Sequence, residues 1–417
     1  MNYSQLANKL RNKITKFSGI LSEKLDKSAQ RFIQEAIYGI MASQSVMLTE
    51  IGRQLETNVS LKKIEERFSR QLIKSKIKDC LQNSILSLAN DRIKEDTLLI
   101  LDLSDIKKKY AEKMEYLAQV RDGSDHGEIV DGYWTNQVIA SEIDSNEITP
   151  LYHSVYSQKS PEFISENIEI INTINQVGSA IDNKGIWVID RGGDREALYE
   201  SFIINKRNFI IRLVGSRNLL YKGKIVRSLW LAYACQLPYK QSVIKFNNGK
   251  EMQYNLRFGA FPVRLPGFKT SLTMVVIKGF SEKPMMLLTT LQVNASKKQI
   301  WFIIKAYLKR WGIEETIRFV KQTYDLENIR VLKYTRLQNI VCVLLAVFFF
   351  ISVILDQNQK LIIMTGHILK SAKRVFGIPD FKYYALGDGI SNIFSRYPGK
   401  LLKHTKTVDL QLSIGFG

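Results

Sequence analysis

The spacing of apolar residues divides the chain into stretches of different period. Through residues 1–95, apolar side chains recur three and four positions apart, as at Phe32, Ile33, Ala36, Ile37 and Ile40, with few glycines and no proline. That is the period of an amphipathic helix, and it predicts a helical N-terminal domain. Its later part, SLKKIEERFSRQLIKSKIKDCL, reads as a basic amphipathic helix with Ser60 as N-cap. From Thr97 the period changes. TLLILD is a short apolar run ending in an acid, the pattern of a buried strand. NQVIASEI and ITPLYHSVYS follow, parted by the turn-forming DSNE, and the three together predict antiparallel strands. PEFISENIEIINTINQVGSAI predicts a helix capped by Ser160, with Pro161 at its first position. GIWVID is a second buried strand ending in an acid, DREALYESFIINK a helix and NFIIRLV a strand.

This order predicts an α/β fold, a mixed sheet flanked by helices. Residues 215–291 interrupt it with β-like pieces such as MVVIKGF and MMLLTTL, punctuated by Gly and Pro as in PVRLPGF. They read as a β-rich insertion. Helix resumes from about Lys297 to Tyr324, followed by an apolar helix over 336–355 and a basic, mainly helical tail. The expected domains are therefore 1–95, 96–214 with 292–356, 215–291, and 357–417. The run Ile340–Leu355 is sixteen apolar or small residues between Asn339 and Asp356. A bilayer-spanning helix needs about 20, so a buried core helix is expected instead. The N-terminal residues lack the apolar core of a signal peptide. A cytoplasmic protein is the resulting expectation.

Charge changes the picture more than composition does. The chain carries 60 basic and 40 acidic residues, a net +20. That balance points to a polyanionic partner, nucleic acid or an anionic membrane surface. Residues 206–284 concentrate it, with fifteen Lys or Arg against two acids, Glu251 and Glu282. Ion pairing within such a segment is nearly impossible, whereas phosphate contacts would neutralise it and release counterions. The three cysteines, Cys80, Cys235 and Cys342, have no CxxC spacing, and the histidines, His126, His153, His367 and His404, are scattered, so no Cys/His zinc pattern is visible.

Three acids carry the candidate chemistry. Asp102 and Asp190 each follow a buried apolar run, and a charge so placed is costly unless it is paired or binds metal. Asp105 and Asp194 lie close behind them and remain alternatives. The third acid sits in KAYLKRWGIEETIRFVKQ. At about 100° per residue, Tyr307, Arg310, Glu314 and Lys321 fall within a stripe of roughly 60° on one helix. An apolar stripe of Ile313, Ile317 and Val320 adjoins it.

The spacing Tyr307-x2-Arg310-x3-Glu314-x6-Lys321 resembles the YREK signature of DDE transposases of the insertion-sequence type, in particular the insertion-sequence type 4 family. LILDLSDI looks like that family's first-Asp strand and IDRGGDREALY like its second-Asp segment. The resemblance covers about residues 95–355. It implies an RNase H-like fold with a β-strand insertion domain between the second Asp and the Glu. It implies Asp102, Asp190 and Glu314 as catalytic residues holding two Mg²⁺, with Mn²⁺ as a substitute. It implies Tyr307, Arg310 and Lys321 as DNA phosphate ligands, and cleavage at terminal inverted repeats of double-stranded DNA followed by strand transfer to a target through a 3′-hydroxyl. A dimer in the DNA-bound complex follows from pairing two ends. In some members an insertion Trp stacks a flipped base; Trp230 and Trp301 are expected here as core residues, with no such role assigned. Two alternatives stand beside this reading. One is a catalytically inactive, sequence-specific DNA-binding relic, and the other a membrane-surface protein.

Overall fold

A computed structural model describes residues 2–108, 111–121, 128–247, 250–294, 296–370 and 381–402. His126, His404 and much of the expected helical tail lie outside the described residues. The chain forms two compact units, Met1–Ile85 with Phe319–Gly417, and Leu86–Arg318. This division differs from the sequence-based domains, because the helical N-terminus packs with the last hundred residues rather than standing alone.

The N-terminal residues form α1 (Tyr3–Leu21), α2 (Lys27–Ser43), α3 (Leu48–Arg53), α4 (Leu61–Leu72) and α5 (Lys76–Asn90). Asp26 caps α2, its carboxylate accepting from the amides of Ser28 and Ala29 at 3.0 Å each. Ser60 holds the N-cap position of α4, but its side chain makes no cap hydrogen bond.

The second unit is built on one large sheet. Its strands are β1 (Leu98–Lys107), β2 (Ala118–Arg121), β3 (Ile129–Ser141), β4 (Thr149–Tyr156), β5 (Ile186–Ile189) and β6 (Asn208–Arg212). Helix α6 (Glu166–Ala180) and helix α7 (Glu196–Ile204) connect β4 to β5 and β5 to β6. The cap of α6 is Ser165, accepting from the amide of Ile168 at 3.3 Å, not Ser160. Pro161 lies in the preceding turn. β3 pairs antiparallel with β1 on one edge and with β2 and β4 along successive stretches of the other. β5 and β6 continue from β1 in parallel.

Residues 215–291 are β-rich as expected. They form β7 (Asn218–Tyr221), β8 (Lys224–Arg227), α8 (Ser228–Ala234), β9 (Tyr239–Asn247), β10 (Lys250–Val263), β11 (Leu272–Lys278) and β12 (Met285–Thr289). Only β7 and β8 make a sheet of their own. β12 pairs antiparallel with β6, and β11, β10 and β9 follow, so the segment extends the central sheet instead of forming a separate one. A near-continuous apolar run through β11 and β12, broken only by Thr273, Lys278 and Thr289, allows burial of both faces, which a strand inside a sheet requires.

The expected helix from Lys297 to Tyr324 is two helices, α9 (Lys297–Lys309) and α10 (Trp311–Thr323). The break is at Arg310, whose amide bonds to the Tyr307 carbonyl at 3.1 Å, three residues back instead of four. Back in the first unit, α11 (Tyr334–Phe349) runs into a π-helical turn over Phe350–Ile354. α12 (Gln357–Lys370) and α13 (Tyr383–Arg396) complete it. Tyr334–Ile354 is long and apolar enough to cross a membrane by composition, but 83% of its most apolar 18-residue stretch is buried within the protein. Phe17 stacks on Phe349 at 6.0 Å, and Phe319 lies 5.4 Å from Phe348. Asn339, fully buried in α11, donates to the carbonyls of Leu72 and Lys74 and accepts from the amide of Lys78. One polar side chain thereby satisfies three backbone groups at the end of α4 and the start of α5.

Candidate active site

Asp102 does not end its strand, as the sequence suggested, but sits in the middle of β1. The ladder with β3 runs on through Lys107, placing Asp102 opposite Gln137. Side chains alternate faces along a strand, so Asp105 points to the opposite face from Asp102. Gln137 in turn lies opposite His153 of β4. Cross-strand partners share a face, so Asp102, Gln137 and His153 form a polar row across three strands. Both Gln137 and His153 are buried, and the sequence reading passed over them. Neither stands near an apolar run ending in an acid, so only the register reveals them.

Asp190 follows β5 directly. Parallel pairing matches Ile100 to Val188, and two residues further along the same register Asp102 comes level with Asp190. The Asp190 carboxylate folds back to accept from the amide of Gly192 at 2.7 Å, capping a short 3₁₀ turn. Gly193 makes that turn possible, since a Cβ there would lie 2.6 Å from the Ile189 side chain.

Asp194, the alternative to Asp190, is otherwise engaged. Its fully buried carboxylate accepts from Tyr199 Oη at 3.0 Å, the Val214 amide at 2.7 Å and Arg217 Nε at 2.6 Å. With donors on three sides it is a structural anchor tying the start of α7 to the segment after β6.

Arg310, at the break between α9 and α10, brings the acids together electrostatically. Its Nη2 donates to Glu314 at 2.7 Å, and its Nη1 lies 3.7 Å from the Asp102 carboxylate. The Arg310 side chain is 9% exposed, Asp102 17% and Glu314 50%. Burial pushes the Asp102 carboxyl up to about 7. Arg310 opposes that shift, while the charges of Asp190 and Glu314 add to it. Burial also works against the Arg310 charge, but Asp102, Tyr307 and Glu314 outweigh it and hold the guanidinium's affinity for its proton above the ordinary value. Asp102 is thus a desolvated carboxylate that feels two further carboxylates and one cation.

Tyr307 is buried beneath Arg310, whose guanidinium carbon lies 5.9 Å from the ring centre. Its hydroxyl and Arg310 Nε are buried with no hydrogen-bond partner among the described residues. Lys321 belongs to the other compact unit, where its ammonium stands 3.3 Å from Glu327. Trp230 is 70% exposed on α8, contrary to its expected place in the core. Trp301 packs on Phe258 at 5.5 Å and lines a cleft with Lys305 and Lys309.

The donor set suits a hard divalent cation, which takes carboxylate oxygens. A divalent ion would favour the charged form of desolvated Asp102, whose proton affinity burial raises first and two neighbouring acids raise further. As placed, no three His, Cys, Asp or Glu side chains among the described residues are close enough to hold a metal ion. The guanidinium of Arg310 stands between Asp102 and Glu314 instead.

Residues 165–350 match the family model described as transposase DDE domain. The matched segment includes Asp190, Tyr307, Arg310, Glu314 and Lys321 and begins after Asp102. No curated protein matches the chain. Among solved structures, the chain is similar to one titled as a cryo-EM structure of a piggyBac transposase synaptic complex with hairpin DNA. The likeness has 12% identity and a TM-score of 0.44 over 92% of this chain and 82% of that one, too distant to bear on the reading below.

Proposed function

We propose that this chain is a DDE transposase of the insertion-sequence type 4 family, a metal-dependent enzyme that cuts double-stranded DNA at transposon terminal inverted repeats and joins the freed 3′-hydroxyl to target DNA. The observation that carries it is the acidic centre on the large sheet. Continued two residues past Ile100 and Val188, the β1–β5 register brings Asp102 level with Asp190, and Asp102 feels the charges of both Asp190 and Glu314. The family match over residues 165–350 supports the same reading. The strand order β4-β3-β1-β5-β6 supports an RNase H-like core.

Asp102, Asp190 and Glu314 would hold the cations, two Mg²⁺ with Mn²⁺ as a substitute. Bound there, such a pair supplies activation of water or a 3′-hydroxyl and charge stabilisation for the leaving oxygen. The chain's own contribution is placement. Asp102 lies on β1 and Asp190 on the turn after β5, and Arg310, just before α10, pairs with Glu314, the third acid of the proposed set. Arg310 offers a planar fork that can grip a phosphate at two points, and Lys321 a point charge. The Tyr307 hydroxyl is a further phosphate donor. Pairing two transposon ends makes a dimer the working form on DNA.

The test is cleavage of DNA carrying the element's own ends. With Mg²⁺ the purified protein should nick it, and a chelator should stop the reaction. Asp102→Ala, Asp190→Ala and Glu314→Ala should each lower the rate by about three orders of magnitude or more while DNA binding is kept. Cleavage retained by any one variant removes that residue from the centre. A single observation favours the inactive relic, namely the Arg310 guanidinium lying between two of the acids. End binding without cleavage in a folded preparation would establish it.

A further inference from the structure

The antiparallel ladders of β9, β10 and β11 place three cations in one row. Arg257 of β10 lies directly opposite Lys240 of β9 on one side and Lys278 of β11 on the other. Directly opposed residues share a face and come within about 5 Å at Cβ, and like charges there are destabilising. Among the described residues, no carboxylate pairs with Lys240, Arg257 or Lys278. Lys278 rests on the ring of Tyr233, 5.3 Å from its centre. Arg257 and Lys278 also line a cleft of about 410 Å³ whose wall is Cys235–Pro238. Gly259, two residues along the same face, keeps that wall close, because a Cβ there would strike the Gln236 carbonyl.

A bound polyanion would relieve the repulsion within a row of three cations and release the counterions that otherwise screen it. A row across strands, spaced by about 4.8 Å per strand, fits a run of negative charge, not a single carboxylate. The surrounding segment, with fifteen basic residues and two acids, extends the same field. The row is on the opposite face of β10 from Phe258, whose ring packs on Trp301 of α9. It is therefore turned away from the helix that leads to Arg310.

We infer that Lys240, Arg257 and Lys278 form a DNA-backbone binding surface separate from the acidic centre, gripping duplex DNA through its phosphates without regard to base sequence. This inference rests on the reading that the chain acts on DNA. Each neutralised phosphate contributes about 0.9 to the slope of log affinity against log salt.

The experiment measures binding of a labelled random-sequence duplex between about 50 and 200 mM salt by fluorescence anisotropy. It uses the full chain and a variant combining Lys240→Gln, Arg257→Gln and Lys278→Gln. The slope should shrink by roughly 2.7 in the triple variant and by about 0.9 in Arg257→Gln alone. Affinity should fall alike for DNA of any sequence. The triple variant should melt no lower than the parent, because it relieves repulsion, and the single variant guards against a folding defect. Slopes equal to the parent's in both variants would overturn the inference. Failure of cleavage together with the expected slope changes would sink the enzymatic reading and leave this surface standing. Cleavage with unchanged slopes would do the reverse.

Discussion

Arg310 brings a permanent positive charge into a buried setting where two carboxylates share it. One guanidinium does not neutralise three acids, and Asp102 records the deficit. Its carboxyl is pushed up to about 7, first by burial, well above the ordinary aspartate range. The metal-free folded state therefore holds this proton more tightly than the unfolded chain does. Between about pH 4 and pH 7, stability should then fall as pH rises, by something on the order of 4 kcal/mol from this group. Asp102→Asn, which cannot ionise, should flatten that part of the melting-temperature profile in chelator and melt higher than the parent near neutral pH. Parallel profiles for the two proteins would show that Asp102 is not held in this way. Asp102 itself was legible in the sequence, because LLIL announces a buried strand just before it. The extra strand length beyond it was not, because DLSDIKK has no apolar alternation and owes its pairing to β3.

At the scale of elements, the polar connections decide which acid does what. Asp190 and Asp194 lie four residues apart, and both follow the same apolar strand, so sequence alone leaves them as alternatives. The fold separates them. Asp190 turns back on a 3₁₀ turn, whereas Asp194 is enclosed by Tyr199, the Val214 amide and Arg217. Asp194→Asn leaves Arg217 without its ion partner and should destabilise the protein by about 3–5 kcal/mol, measured by denaturant unfolding, with divalent-ion affinity retained. A variant that unfolds normally yet loses the ion would transfer the ligand role to Asp194. The break between α9 and α10 was hidden for a related reason. The stripe of Tyr307, Arg310 and Glu314 follows helical spacing on both sides, and a single Gly312 is too weak a signal to announce an interruption. The stripe's geometry survives because Arg310 keeps helical backbone angles.

Across the whole molecule, the order of β1, β3, β4, α6, β5, α7 and β6 was readable from period changes, whereas the short β2 was not. What the period could not show is where strands go after they form. MVVIKGF and MMLLTTL were recognisable as strands, yet nothing in them marks β6 as the partner of β12. The same blindness concealed the cation row, since Lys240, Arg257 and Lys278 are adjacent only by register. It also let residues 1–95 be taken as a self-standing domain, whereas Met1–Ile85 shares a compact unit with Phe319–Gly417. The basic excess of 206–284 was visible in the sequence, but the alignment of Lys240, Arg257 and Lys278 in one row was not.

The central claim is that Asp102, Asp190 and Glu314 share divalent ions. Titrating the purified full-length chain with Mn²⁺ and following free ion by electron paramagnetic resonance tests it without DNA or turnover. The parent protein should bind the ion, and each of Asp102→Ala, Asp190→Ala and Glu314→Ala should weaken binding at least about tenfold, a loss of roughly 1.4 kcal/mol or more. Folded variants that all bind Mn²⁺ as tightly as the parent would contradict the account.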